Sequence, residues 1–430
     1  MIQCLTGLSL RSRDTWANAP AITSSRSAAT ASREVLASFM ELDLSLIAPE
    51  LTELGKDWFA IHNEDASSKM DISSVFMVEH PNPVLCARFS NDGRLLAAIS
   101  GRSAHIYDSL TGERITTLVD ESTHKYLYLR AAAFSPDGTL LATGSEDRKV
   151  RVWDIHKRKV IHVFHGHVHK INTVAFSSCG SFLLSGSSDK TLWVWDLEMG
   201  GHHAIHIGHR VKSIALLGED RFVAVTAEKE IQLWDISEGR LAYRIPAHNF
   251  DVVALAIARR GEVLISAGVE DEVKAWDAKT LPEVGMPPEA EREWSENWGY
   301  PSPPPDRTRS STVSSEEDET GTSVLPDCLA TFSTERRDQR FNVVSVASSK
   351  DGAWVVSGTQ NRGVWIWNSK TGLPQLMLGC HYRYVMSLDV SSTADASQGM
   401  FASGGEDGTL KVWRYAVTCP PHEPNVTCGA

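Results

Sequence analysis

Short runs of alternating apolar and polar residues recur along most of the chain, each broken by a turn rich in Gly and Asp. The pattern is clearest between Ala133 and Asp196, where AFSPDGTLLATGSEDRKVRVWD is followed, after a connector, by AFSSCGSFLLSGSSDKTLWVWD. Each copy reads as an apolar strand, a turn containing Gly, a second strand closing on a small-Gly pair, an Asp turn, and a third strand ending in Trp-Asp. Alternation with period two, punctuated in this way, predicts strands and hairpins. A unit that repeats cannot bury its apolar face alone and implies a stacked array.

The terminal aromatic-Asp pair serves as a ruler. It or a variant falls at Tyr107-Asp108, Trp153-Asp154, Trp195-Asp196, Trp234-Asp235, Trp276-Asp277, Trp367-Asn368 and Trp413-Arg414, with intervals of 46, 42, 39, 42, 91 and 46 residues. The common spacing resembles that of WD repeats, in which each repeat is one four-stranded blade of about 40–45 residues. The expectation is an all-β fold, a seven-bladed β-propeller of WD repeats, with extra chain inserted before the sixth repeat.

Taken in order, residues 1–40 are rich in Ser, Ala and Thr, with Arg11, Arg13, Arg26 and Arg33 against Asp14 and Glu34. That composition resembles a transit peptide, but without an amphipathic helix it is read as a disordered tail. Residues 41–71 read as a pre-propeller segment packing on the ring, with DWFAIHN (57–63) as a strand outside the repeats. Residues 72–417 are assigned to the propeller and 418–430 to a disordered tail. The last repeat is one strand short, and Ile72 to Val78 is expected to fill the place and close the ring, removing an open edge. Residues 281–328 carry eight prolines and eleven acids against three bases, too polar to bury a core, and read as a disordered acidic insert. Ser314 and Ser315, which precede Glu316, Glu317, Asp318 and Glu319, are candidate phosphorylation sites.

Charge and cysteine usage narrow the classes. The chain carries a formal net charge of −12, most of it in the insert, so the ring is expected to have no global field for nucleic acid. Seven scattered cysteines without a C-x-x-C pair suggest neither a disulfide framework nor a zinc site. No apolar run approaches the ~20 residues that a membrane helix needs, and a soluble intracellular protein is expected.

Candidate chemistry is sparse. His167, Ser185, Asp189 and Trp195 form a quartet that returns as His381, Ser403, Asp407 and Trp413, and in part as His248, Ser266 and Glu270. Its composition resembles a Ser-His-Asp triad, but periodic recurrence points to a structural hydrogen-bond relay. The first, fourth and sixth blades are degraded: His80 stands with Ala97 and Gly101, His209 with Ala224 and Glu228, and Gln339 replaces the sixth histidine. GGHHAIHIGH would put His202 and His206 on one strand face with His209 following, but lacks Cys or carboxylate at ligand spacing and is read as ordinary strand and loop histidine. No phosphate-binding Gly loop or metalloprotease motif occurs, so neither cofactor nor catalytic role is expected. Where chain enters each blade stand Tyr126, Tyr128, Lys170, Asn172, Lys212, Phe250, Tyr382, Arg383, Tyr384 and Met386, rich in the aromatic and Arg side chains that make binding hot spots.

Four stretches carry a narrower resemblance: DWFAIHN, HPNPVLCARFSNDGRLLAA, LYLRAAAFSPDGTLLATGSEDRKVRVWDI and SGTQNRGVWIWNSKTGLPQLMLGCH. Over residues 42–417 the chain resembles the C-terminal propeller of the fungal Tup-type general transcriptional corepressors, relatives of Groucho. The resemblance implies a nuclear corepressor whose propeller does not touch DNA. Sequence-specific DNA-binding regulators would dock peptides on its top face, and repression would run through histones, histone deacetylases and Mediator. It also implies that Tyr128 contacts a regulator. Arg383 and Tyr384 stand where the family has Asn-Ser, and Asn172 and Val253 stand where tyrosines are usual. The family's N-terminal tetramerisation helices have no counterpart here, so tetramerisation is not expected. An alternative reading is a WD-repeat scaffold outside transcription, such as a ubiquitin-ligase substrate receptor.

Overall fold

The computed structural model describes residues 44, 47–66, 69–120, 128–217, 220–258, 261–270, 272–278, 328–333, 342–361, 363–391 and 398–418. Among these, the strands form seven sheets. The first blade runs through Val84–Phe89, Leu95–Ser100, Ser103–Asp108 and Arg114–Val119. Equivalent hairpin sets begin at Leu129, Ile171, Ile214, Val252, Val343 and Val385. Every first strand touches the first strands of both neighbouring blades, including the seventh against the first. The blades therefore form a closed ring with their first strands around its axis.

Local chemistry explains why the chain turns where it does. In the first blade the Ser90 hydroxyl donates to Asp92 and accepts from the Leu95 amide at 2.9 Å, and the Ser90 carbonyl accepts from the amide of Gly93, which stands at φ 72°. Ser135, Asp137 and Gly138 repeat this arrangement in the second blade. The serine satisfies backbone that a tight hairpin would leave unpaired, and only glycine takes the left-handed position without penalty.

The core is divided rather than continuous. A separate buried cluster fills each junction between neighbouring blades. Trp153, for instance, packs with Leu141 of its own blade and Ile99 and Ile106 of the blade before it. Stability in such a ring is close to a sum of blade and junction contributions.

Chain from the N-terminal side enters two sheets. Lys69–Glu79 pairs antiparallel with Thr409–Thr418 and is the fourth strand of the seventh blade, in register from Lys69↔Thr418 to Glu79↔Thr409. It is longer than the Ile72 to Val78 stretch expected from sequence. Phe59–His62 packs on the outer edge of the sixth blade: it pairs with Pro374–Gly379 and in turn carries Thr52–Leu54, so the sixth sheet has six strands. The acidic insert, apart from Cys328 at its end, lies outside the described residues, as do Tyr126, Ser314, Ser315 and Gln339. Among the described residues no helix is long and apolar enough to cross a membrane.

Candidate functional site

The relay residues are assembled from different strands of one blade. In the third blade Trp195 Nε1 donates to Ser185 Oγ at 2.9 Å, Ser185 Oγ lies 2.8 Å from His167 Nε2, and His167 Nδ1 lies 2.8 Å from Asp189 Oδ2. An ionised carboxylate can only accept, so the proton sits on Nδ1, and Nε2 accepts from the serine. Burial pushes the Asp189 carboxyl up, but the hydrogen bonds from His167 and Thr191 outweigh it and hold the group well below the usual range. Asp407 is depressed in the same way, its burial outweighed chiefly by the charge and hydrogen bond of His381. His381, Ser403 and Trp413 repeat the chain of contacts, and His248, Ser266 and Trp276 do so with Glu270 as the acid. All three serines are fully buried, so no substrate reaches these hydroxyls.

The packing leaves no slack around the relay. A Cβ on Gly405 would lie 2.4 Å from His381 Nδ1 and 2.3 Å from Asp407. This accounts for the glycine that closes the second strand.

Other blades solve the same problem differently. In the first, His80 Nε2 lies 3.4 Å from the Tyr107 hydroxyl, and burial, with His105 and Arg114 nearby, pushes His80 down to about 4. In the fourth, Trp234 Nε1 turns to Gln232 at 3.0 Å, while His209 lies 3.2 Å from Glu228. In the second, Arg151 takes the role of the imidazole. Its guanidinium reaches Asp147 at 2.6 Å, Asp120 at 2.5 Å and Ser145 at 3.1 Å, and is buried. Sequence reasoning missed it; a basic residue two places before the Trp and four after the Asp of the turn was the available signal.

The loops that lead into the blades are fixed at one end of the ring by a recurring hydrogen bond. In five blades the amide after the second strand donates to the carbonyl of the residue before the first strand: Glu146 to Tyr128, Ser188 to Lys170, Val269 to Asp251, Gln360 to Asn342 and Glu406 to Tyr384. Tyr128, Lys170 and Tyr384 therefore hold equivalent places on this rim, called the top face here. Tyr128 and Tyr384 are 46% and 43% exposed, and Phe250 is 45% exposed. Arg383 is exposed, with Glu406 4.0 Å away, and Met386 is half-buried on the first strand of the seventh blade.

Some of the predicted face is otherwise engaged. The Asn172 amide donates to Val211 O at 2.7 Å and Ser188 Oγ at 3.0 Å, tying two leading loops together. Lys212 Nζ lies 2.7 Å from Asp251. Tyr382 packs beside Phe59 and Ile61, and burial, with Asp57, Asp407 and Glu79 near, raises its hydroxyl pKa. Among the described residues one group of metal-ligand type comes together. His248, Glu270 and Glu272 bring ligand-type atoms within 4.8 Å of one another, but both ring nitrogens of His248 are taken by Glu270 and Ser266.

Seven blades, six with a third-strand tryptophan and the first with Tyr107, each ring tied to a polar partner, define a WD-repeat β-propeller. The chain is a WD-repeat protein: the family described as WD domain, G-beta repeat matches residues 73–108, 112–154, 158–196, 326–368 and 372–414. The unmatched part, 197–325, includes the fourth blade, whose Gln232 contact replaces the serine of the relay. More narrowly, the chain is similar to Transcriptional repressor rco-1 of Neurospora crassa, with 34% identity over 382 residues, 87% of this chain and 57% of that protein. It is 40% identical over 116 residues to General transcriptional corepressor tupA of Dictyostelium discoideum, 27% of this chain and 20% of the relative. General transcriptional corepressor TUP1 of Saccharomyces cerevisiae matches at 24% over 182 residues, 30% of this chain and 26% of the relative. The chain thus spans just over half the length of rco-1, and the tupA and TUP1 matches take in about a quarter or less of those proteins.

Proposed function

We propose that this propeller is a non-enzymatic platform in transcriptional repression, recruited by sequence-specific DNA-binding regulators through its top face and acting in the nucleus. The observation that carries the reading is the rim of exposed Tyr128, Phe250 and Tyr384 on a chain similar over 87% of its length to a transcriptional repressor. Large aromatic rings held by a rigid scaffold bury much area at low entropic cost when a peptide lies across them. Histones, histone deacetylases and Mediator are the partners through which such a platform would repress.

The test is affinity purification of the tagged chain from nuclear extract beside a folded Tyr128→Ala, Arg383→Ala, Tyr384→Ala variant. Recovery of DNA-binding regulators by the wild type, lost in the variant, is the expected result. Recovery of ubiquitin-ligase subunits, or one partner set for both proteins, would overturn it.

A further inference from the structure

The rim is not uniform around the ring. Aromatic side chains mark the seventh, second and fifth blades, whereas the stretch from the second to the fourth carries basic ones. Glu146, Arg148, Val168, His169 and Lys170 line one shallow hollow between the second and third blades. Arg148, Val168, His169 and Lys170 are all exposed, Val168 to 66%. Lys190 and Arg210 extend the same sector: Lys190 stands in the turn equivalent to that of Arg148, and the loop holding Arg210 is bonded to that turn through Ile207 N to Lys190 O.

The acids of this sector are already engaged, and these bases are not. Glu146 pairs with Arg130 at 2.8 Å, Asp147 with Arg151, Asp189 with His167, and Asp251 with Lys212. Glu228 faces His209. Arg148, Lys170, Lys190 and Arg210 have no ion-pair partner among the described residues. Arg148 and Lys190 also hold a left-handed backbone, φ 71° in both, where the seventh blade has Gly408 at φ 81°. Long basic side chains thus occupy turn positions that favour glycine. On a protein of net charge −12, a local excess of unpaired bases around an exposed valine is a complement for negative charge beside an apolar group.

We infer that the hollow between the second and third blades takes an acidic peptide segment, with an aliphatic side chain seated against Val168 and flanking carboxylates drawn to Arg148 and Lys170. The inference rests on the top-face reading above and names the chemistry of its partner. Tyr128, whose carbonyl accepts from the amide of the lining residue Glu146, would cover the peptide backbone.

A random peptide library panned against the folded full chain tests both readings separately. Selected sequences should be enriched in Asp and Glu around Leu, Ile or Val. A synthetic peptide with two Asp residues flanking a Leu should bind about tenfold more tightly than its Asn counterpart, and more weakly as salt rises. An Arg148→Glu, Lys170→Glu variant should lose that preference, while Lys370→Glu, remote from the hollow, should keep it. Binders without acid enrichment that are lost on Tyr128→Ala would leave the top-face reading standing and overturn this one. Acidic binders that ignore the double reversal would also overturn it, and a library that yields no binder would remove both.

Discussion

Arg151 grips Asp147 at 2.6 Å inside the second blade, with the side chains of both residues almost wholly buried. It does there what histidine does in the third, fifth and seventh blades, and also reaches back to Asp120 on the preceding loop. Its burial is tolerable only because both carboxylates answer it. Removing one partner of such a pair leaves an uncompensated buried charge, at about 3–5 kcal/mol. Arg151→Met is therefore expected to lower stability by roughly that amount in urea denaturation. Arg151→Met with Asp147→Leu should cost less than the single change, and a double variant weaker than the single one would count against this account.

The relay of the third blade predicts coupling rather than size alone. Ser185→Ala removes the acceptor of the Trp195 indole and the donor to His167, leaving two buried polar groups unsatisfied at about 1–3 kcal/mol each. His167→Phe then takes away one of the orphans. The double variant should be less damaging than the sum of the two, by about 0.5 kcal/mol or more. Additive losses would show that the contacts act singly.

The blades were readable because their determinants are local. The Ser90, Asp92 and Gly93 turn closes within a few residues, and the Trp-Asp spacing repeats whatever lies between. The relay histidine lies 22 residues before its Asp in the third blade, still inside one repeat. Contacts that cross the chain left no such trace. Nothing near Lys411 announces Asp57, 354 residues away, and nothing near Asn172 shows that its amide is spent on Val211 rather than offered to a partner. Arg151 was hidden because one of its acids, Asp120, stands 31 residues earlier, just after the last strand of the first blade. A repeat pattern reports what each unit does for itself, not what its neighbours supply.

Acid sensitivity follows from Asp189 and Asp407. Both carboxyls lie below their ordinary 3.8 in the folded chain, because the imidazole partners outweigh burial. The native state then binds fewer protons than the unfolded one, so stability rises with pH across the interval between the native and ordinary values. The contribution is whole above about pH 5 and is lost as pH falls through 3.8 and below. Urea midpoints measured from neutral pH down to about pH 3 should fall more steeply for the wild type than for an Asp189→Asn, Asp407→Asn variant. Equal slopes would mean that other carboxylates govern acid unfolding.

The remaining prediction concerns how the N-terminal segment is fastened. Lys411, on the third strand of the seventh blade, is buried and places its ammonium against the Asp57 carboxylate, while Trp58 meets Trp413 edge-on at 5.6 Å. Phe59–His62 follows at once and pairs with the sixth blade. One ion pair therefore ties the hairpin between Thr52–Leu54 and Phe59–His62, both in the sixth sheet, to the seventh blade. Asp57→Ala strands the ammonium in the interior and should cost about 3 kcal/mol or more, whereas Asp57→Glu should recover part of the loss. The same change should raise hydrogen exchange first at the amides of Phe59–His62, because that strand is held by its pairing to one blade and by this contact to the other. Exchange that rises uniformly round the ring would assign Asp57 to general stability, and a variant within about 0.5 kcal/mol of wild type would show that Lys411 finds water or another partner without it.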